Sequence, residues 1–114
     1  MSEQDLVNAI LDWFHLRGAW AIRINSGGKP VSDKKGGRYF IRMAPAGTPD
    51  ILAIWPGGLG VAVECKMPGN KPTEIQTITL QRISECGGLA IVAYSIDDVE
   101  TAIRERIEQC QKQS

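Results

Sequence analysis

The stretch Gly47-Thr48-Pro49-Asp50-Ile51-Leu52-Ala53-Ile54-Trp55-Pro56-Gly57-Gly58-Leu59-Gly60-Val61-Ala62-Val63-Glu64-Cys65-Lys66 leaves few ways to fold. Two apolar, β-branched runs flank a Pro-Gly-Gly break, the pattern of a β-hairpin. Asp50 opens the first strand, and Glu64 and Lys66 close the second. Side chains alternate along a strand, so Glu64 and Lys66 share one face while Val63 and Cys65 point to the other. Loop length then decides what the acids do. A two-residue loop at Gly57-Gly58 sets Asp50 opposite Cys65 and splits the carboxylates between faces. A three-residue loop, Pro56 to Gly58, sets Trp55 opposite Leu59 and Asp50 opposite Glu64. A bulge at Gly60 corrects the shorter loop equally well. Convergence of the two acids is the expectation.

Carboxylates a few ångströms apart repel, and a hard divalent cation relieves the repulsion. Mg²⁺ takes oxygen ligands, keeps several waters and sits on one or two carboxylates plus substrate phosphate. Such an ion sharpens water into a nucleophile and stabilises charge growing on a phosphoryl oxygen. The Lys66 ammonium could orient that water or neutralise the transition state. Asp50, Glu64 and Lys66 therefore form a coherent phosphodiester-cleaving set. The plainer alternative is that Asp50 caps a turn while Glu64 and Lys66 lie on a solvated strand face.

Other features narrow the classes. A chain of 114 residues with 43% apolar residues suits one soluble domain, residues 1–114, with one core. No apolar run reaches the ~20 residues of a membrane span, and the acidic N-terminus has no signal-peptide core; a cytoplasmic protein without membrane partner is expected. Three cysteines, Cys65, Cys86 and Cys110, contain no Cys-x-x-Cys pair, which argues against disulfide frameworks and structural zinc. Cys65 and Cys86 read as small buried apolar residues. The single histidine, His15, excludes a histidine metal cluster and reads as helix-terminal. Net charge is zero, yet Arg17 to Arg42 carries a local +6 and Glu74 to Glu108 a local −4. Nucleic acid responds to the local field rather than the sum, so DNA binding is permitted.

Along the chain, Ser2 and Asp5 form a capping box for a helix from about Glu3 to Leu16, with Leu6, Val7, Ile10, Trp13 and Phe14 on one face. Gly18 ends it. Ala19 to Ile24 reads as a half-buried strand with Trp20, Ile22 and Ile24 on one side. Residues 26–37 read as a mobile basic loop that orders over a DNA backbone, carrying Lys29, Lys34 and Lys35. Arg38 to Met43 reads as a strand, from which Arg38 and Arg42 could reach phosphates or remain solvated edge charges. After the hairpin, Thr73 and Gln76 form a second capping box for a helix to about Glu85. Leu89 to Tyr94 is a strand buried on both faces. Ser95 or Asp97 caps a last helix with Val99, Ala102, Ile103, Ile107 and Cys110 in a stripe, and residues 111–114 form a frayed tail. The order α-β-β-β-β-α-β-α predicts an α/β fold, one central mixed sheet flanked by helices.

Pro49-Asp50 followed by Glu64-Cys65-Lys66 resembles the signature of the PD-(D/E)xK nuclease superfamily. The wider set is similar to the VRR-NUC family: a helix with early Glu3, Asn25 after the first strand, Arg42 spaced from Gly47-x-Pro49-Asp50, Glu64-x-Lys66, then Gln76 opening a helix. The likeness covers roughly Ser2 to Tyr94; the segment Ile41-Arg42-Met43 matches the family's valine-arginine-arginine run only loosely. The resemblance implies a restriction-endonuclease-like domain and a Mg²⁺- or Mn²⁺-dependent endodeoxyribonuclease without organic cofactor. It implies Asp50, Glu64 and the Cys65 backbone carbonyl as metal ligands, Glu3 as a further acidic contributor, and Gln76 at the active site beside Lys66; Glu3 reads equally well as a first-turn charge favourable to the helix dipole. Asn25 joins the DNA contacts. Free-standing members look like Holliday-junction resolvases, so branched DNA and a homodimer are expected. The rival expectation is a non-catalytic DNA-binding or protein-interaction module of a replication or repair complex.

Overall fold

A computed structural model describes residues 1–24 and 44–113 in full and residues 28–32 and 38–42 by their backbone. Helix α1 (Glu3–Leu16) begins where expected: the Ser2 hydroxyl accepts from the Asp5 N–H (3.1 Å) and the Asp5 carboxylate accepts from the Ser2 N–H (2.9 Å). This reciprocal cap satisfies two of the donors that a helix start leaves open. Leu6, Val7, Ile10 and Phe14 form the buried stripe. Gly18, with φ +80°, reverses the chain into β1 (Trp20–Arg23).

Two strands, β2 (Gly28–Ser32) and β3 (Arg38–Arg42), pair antiparallel as a sheet of their own. They are followed by β4 (Ile51–Trp55), β5 (Leu59–Cys65), α2 (Glu74–Glu85), β6 (Leu89–Ala93) and α3 (Ile96–Lys112). The central sheet runs β1-β4-β5-β6, with β5 and β6 parallel and the other neighbours antiparallel. This α/β mixed sheet is the expected class with one strand more than expected. Gly28–Ser32 falls in the stretch expected to be loop because its Gly, Ser, Lys and Pro leave little to bury. Its pairing with β3, from Gly28↔Arg42 to Ser32↔Arg38, supplies what local propensity lacks. Residues 26, 27 and 33–37 of that expected mobile loop lie outside the described residues. The expected fray at 111–114 also starts too early: α3 continues through Lys112, and Ser114 lies outside the described residues.

Strand parity sets the layers. Ala21, Ile51, Ala53, Val61, Val63, Cys65, Ile91 and Ala93 face α1 and α3, where they meet Leu6, Ile10, Phe14, Val99 and Ile103. Burying a side chain such as Phe14 contributes about 1.5–3 kcal/mol. The opposite face carries Ala62 and Glu64 and is covered by α2 only over β5 and β6. Over β1 and β4 no described helix covers it. The cross-strand pairs Trp20–Ile54 and Ile22–Leu52 are therefore exposed, Trp20 to 57%, and small Ala21 is the inward residue of β1. Trp20 and Ile22 were expected on the buried side; the short reach of α2 reverses this.

Candidate active site

The hairpin takes the three-residue loop. Trp55 pairs with Leu59 and Ile51 with Val63, so one step beyond the ladder Asp50 stands opposite Glu64. The Gly58 N–H donates to the Trp55 carbonyl (2.8 Å), and Gly57 takes φ +102°, the positive value needed at the third position of a Pro-Gly turn of type II. Asp50 sits at the bend entering β4. Its carbonyl accepts from the Ile24 N–H (2.7 Å) and its Oδ2 from the Cys65 N–H (2.8 Å), which ties the acid to both flanking strands. Gly47 has φ +88°, and a Cβ there would lie 2.9 Å from the Ile75 carbonyl oxygen. The glycine before Pro-Asp is thus where this loop closes on the first turn of α2.

Glu64 is the one buried charged residue among those described, 2% exposed. Its Oε1 accepts from Gln76 Nε2 (3.2 Å) and lies 3.9 Å from Lys66 Nζ. Its Oε2 is buried and meets no N–H or hydroxyl donor among the described residues. Burial, then the charge of Asp50 and a hydrogen bond shared with it, push the Glu64 carboxyl up to about 8; Lys66 opposes the rise and Glu3 adds to it. Burial and the same acids push the Cys65 thiol up to about 12, so it is an inert core group. Cys86, expected to be buried, caps α2 in the open.

Gln76 caps α2 and also reaches Glu64. Its Oε1 accepts from the Thr73 N–H (2.8 Å) and its N–H donates to Thr73 Oγ1 (3.3 Å), completing the capping box, while its Nε2 is left for Glu64. Lys66 is held by its own N–H on the Ala93 carbonyl (3.0 Å). One contact was missed from sequence: the Tyr94 hydroxyl donates to the Asn70 carbonyl (2.8 Å) and pins the loop between Lys66 and α2. Strand parity was the available signal, since Tyr94 shares a face with Val92, the register partner of Glu64.

The donor set fits a hard divalent cation. Glu64 carries a buried oxygen without a donor and stands in register opposite a second carboxyl, Asp50, and among the described residues the Lys66 ammonium neutralises the pair only in part. Among the described residues no three His, Cys, Asp or Glu side chains converge as a metal-binding group. Asp50 and Glu64 would therefore share an ion with water and backbone oxygens, the coordination Mg²⁺ favours. Glu3, half-buried in the first turn of α1, adds its charge to the pair.

A phage protein of Acyrthosiphon pisum secondary endosymbiont phage 1, named "Putative nuclease p44", is 40% identical over 58 residues, 51% of this chain. The chain spans 62% of the length of that relative. No protein-family model matches. A solved structure described as a VRR_NUC domain superposes with a TM-score of 0.62 over 91% of this chain and 97% of that one, at 23% identity. The chain has the VRR_NUC fold. Together the two likenesses support the VRR-NUC assignment that the order of motifs implied.

Within this VRR_NUC fold, the residues expected to hold DNA divide. Lys29 lies in β2 and Arg38 and Arg42 at the two ends of β3, on the separate two-stranded sheet between β1 and β4. Asn25, Lys34 and Lys35 lie outside the described residues.

Proposed function

We propose that this chain is a Mg²⁺- or Mn²⁺-dependent, structure-selective endodeoxyribonuclease that acts in the cytoplasm on branched DNA as a homodimer, in the manner of a Holliday-junction resolvase. One observation carries the reading: a buried carboxyl, Glu64, in register opposite Asp50 and with an oxygen that meets no donor among the described residues. Burial keeps that carboxyl protonated to about pH 8, and a bound divalent cation would offset the cost of ionising it; the fold is that of a VRR_NUC domain. Asp50 and Glu64, with the Cys65 carbonyl, would hold the ion. When bound it supplies Lewis acidity toward a phosphoryl oxygen.

The chain's own groups do the rest. The Cys65 N–H fixes one oxygen of Asp50, and Gln76 fixes one oxygen of Glu64. These contacts leave one further oxygen on each acid for an ion. Lys66, 14% exposed at its side chain, keeps N–H donors for a phosphate oxygen or for the attacking water. Hydrolysis adds that water across a P–O bond: its proton leaves to solvent, and a proton from solvent or the Lys66 ammonium turns the departing oxygen into a hydroxyl. Lys29, Lys34, Lys35, Arg38, Arg42 and Asn25 would contact the DNA strands.

Labelled four-way junction, flap, duplex and single strand, each with Mg²⁺, Mn²⁺ or EDTA, test the substrate class. Paired symmetric cuts in the junction are expected. Equal cutting of all four DNAs would remove the structure selectivity, and no cutting of any would remove the nuclease.

A further inference from the structure

Helix α3 overruns the sheet. Its apolar stripe is buried at Val99 and Ile103 but continues through Ile107, 36% exposed, and Cys110, fully on the surface. Beside the stripe lies a groove of about 290 Å³ floored by Trp13, Trp55, Ile103 and Ile107. Its aromatic wall is rigid: the Trp13 and Trp55 rings stack with centroids 5.7 Å apart, and the Arg17 guanidinium lies 5.2 Å from the Trp13 ring.

Glu100, Arg104 and Glu108 edge this groove, and Lys112 follows four residues on. Residues four apart form one ridge on a helix, and this ridge reads negative, positive, negative, positive. None of the four makes an ion pair within the chain among the described residues. Such a ridge is complementary to itself read backwards. About a two-fold axis Arg104 meets the partner's Glu108 and Glu100 meets the partner's Lys112, each pair occurring twice. The balanced charge suits another protein surface and does not suit DNA, which requires net positive potential.

We infer that this face seats a second copy of the chain, with α3 antiparallel to its symmetry mate and Ile107 of each copy entering the other's Trp13–Trp55 groove. The inference rests on the dimeric reading above and supplies its interface. The Pro56–Gly58 turn borders this surface, whereas the carboxylate pair lies at the other end of the β4–β5 hairpin. Association therefore leaves both sites open to DNA.

Sedimentation equilibrium of the full chain over a range of concentrations tests it. Arg104→Glu sets like charges opposite twice, as does Glu108→Arg; each weakens the dimer by about tenfold or more. The double swap, Arg104→Glu with Glu108→Arg, restores the pairs and returns the dimer to near its original strength. Circular dichroism should be unchanged in all three, because both positions are exposed. A monomer at every concentration overturns the interface and the dimeric reading together. A dimer indifferent to both single changes overturns the interface alone, and loss of that dimer on Ile54→Asp moves it to the uncovered sheet face. Cleavage of DNA is scored separately, so a failed nuclease reading stays distinguishable from either result.

Discussion

Replacing Glu64 by Gln should make the metal-free protein more stable at alkaline pH. Glu64 holds its proton to about pH 8 when folded and near 4.5 as an unperturbed carboxyl. Between those values the unfolded chain has released a proton that the folded chain keeps, so raising pH favours unfolding. The gap corresponds to a loss on the order of 5 kcal/mol across the window, fully developed only above pH 8. Gln has nearly the same volume, its carbonyl can still accept from Gln76, and its amide N–H can donate to Asp50. The variant should therefore show a flat profile where the wild type declines. Denaturant unfolding in EDTA between pH 5 and 8.5 reads this directly, with thermal midpoints moving about 4 °C per kcal/mol. Adding Mg²⁺ or Mn²⁺ at pH 8.5 should recover wild-type stability, by about 1.4 kcal/mol at ten times the dissociation constant, and leave the variant unmoved. Parallel pH profiles for the two proteins would refute the reasoning, because they would show that Glu64 ionises without strain when buried.

Gln76→Glu retains an acceptor for the Thr73 N–H but turns the donor facing Glu64 into another carboxylate; cleavage should fall at least about tenfold, with the helix content by circular dichroism intact. Gly47→Ala must take φ +88° and meet the Ile75 carbonyl, so urea unfolding should show a loss of about 2 kcal/mol or more. Tyr94→Phe frees the Asn70 carbonyl at a cost of about 1 kcal/mol, and single-turnover kinetics should show slower cleavage with DNA affinity unchanged.

The hairpin was legible because strand parity and loop length are discrete. Only a three-residue loop without a bulge, or a shorter loop with one, brings Asp50 and Glu64 to one face, and the Trp55↔Leu59 pair is the first of these. Both capping boxes were legible too, since Ser2/Asp5 and Thr73/Gln76 act within four residues. What sequence could not supply depended on coverage by distant elements. The apolar side of β1 faces outward because α2 spans only β5 and β6, a property of the crossover rather than of Trp20 or Ile22. Gly28–Ser32 became a strand through its partner alone. Gln76 read as a cap or as a neighbour of the acids, and its amide makes both contacts, the oxygen to the Thr73 N–H and the nitrogen to Glu64.

The most direct test of the Asp50–Glu64 centre is single-turnover cleavage of end-labelled junction DNA by the wild type and by Asp50→Asn, with Mg²⁺, with Mn²⁺ and with EDTA. Asn keeps an acceptor for the Cys65 N–H, so the variant should fold and still bind DNA. Cleavage by the wild type in either metal, absent in EDTA and lost in Asp50→Asn, is the expected result. Cutting that persists in EDTA or in the variant would contradict a metal-dependent carboxylate pair.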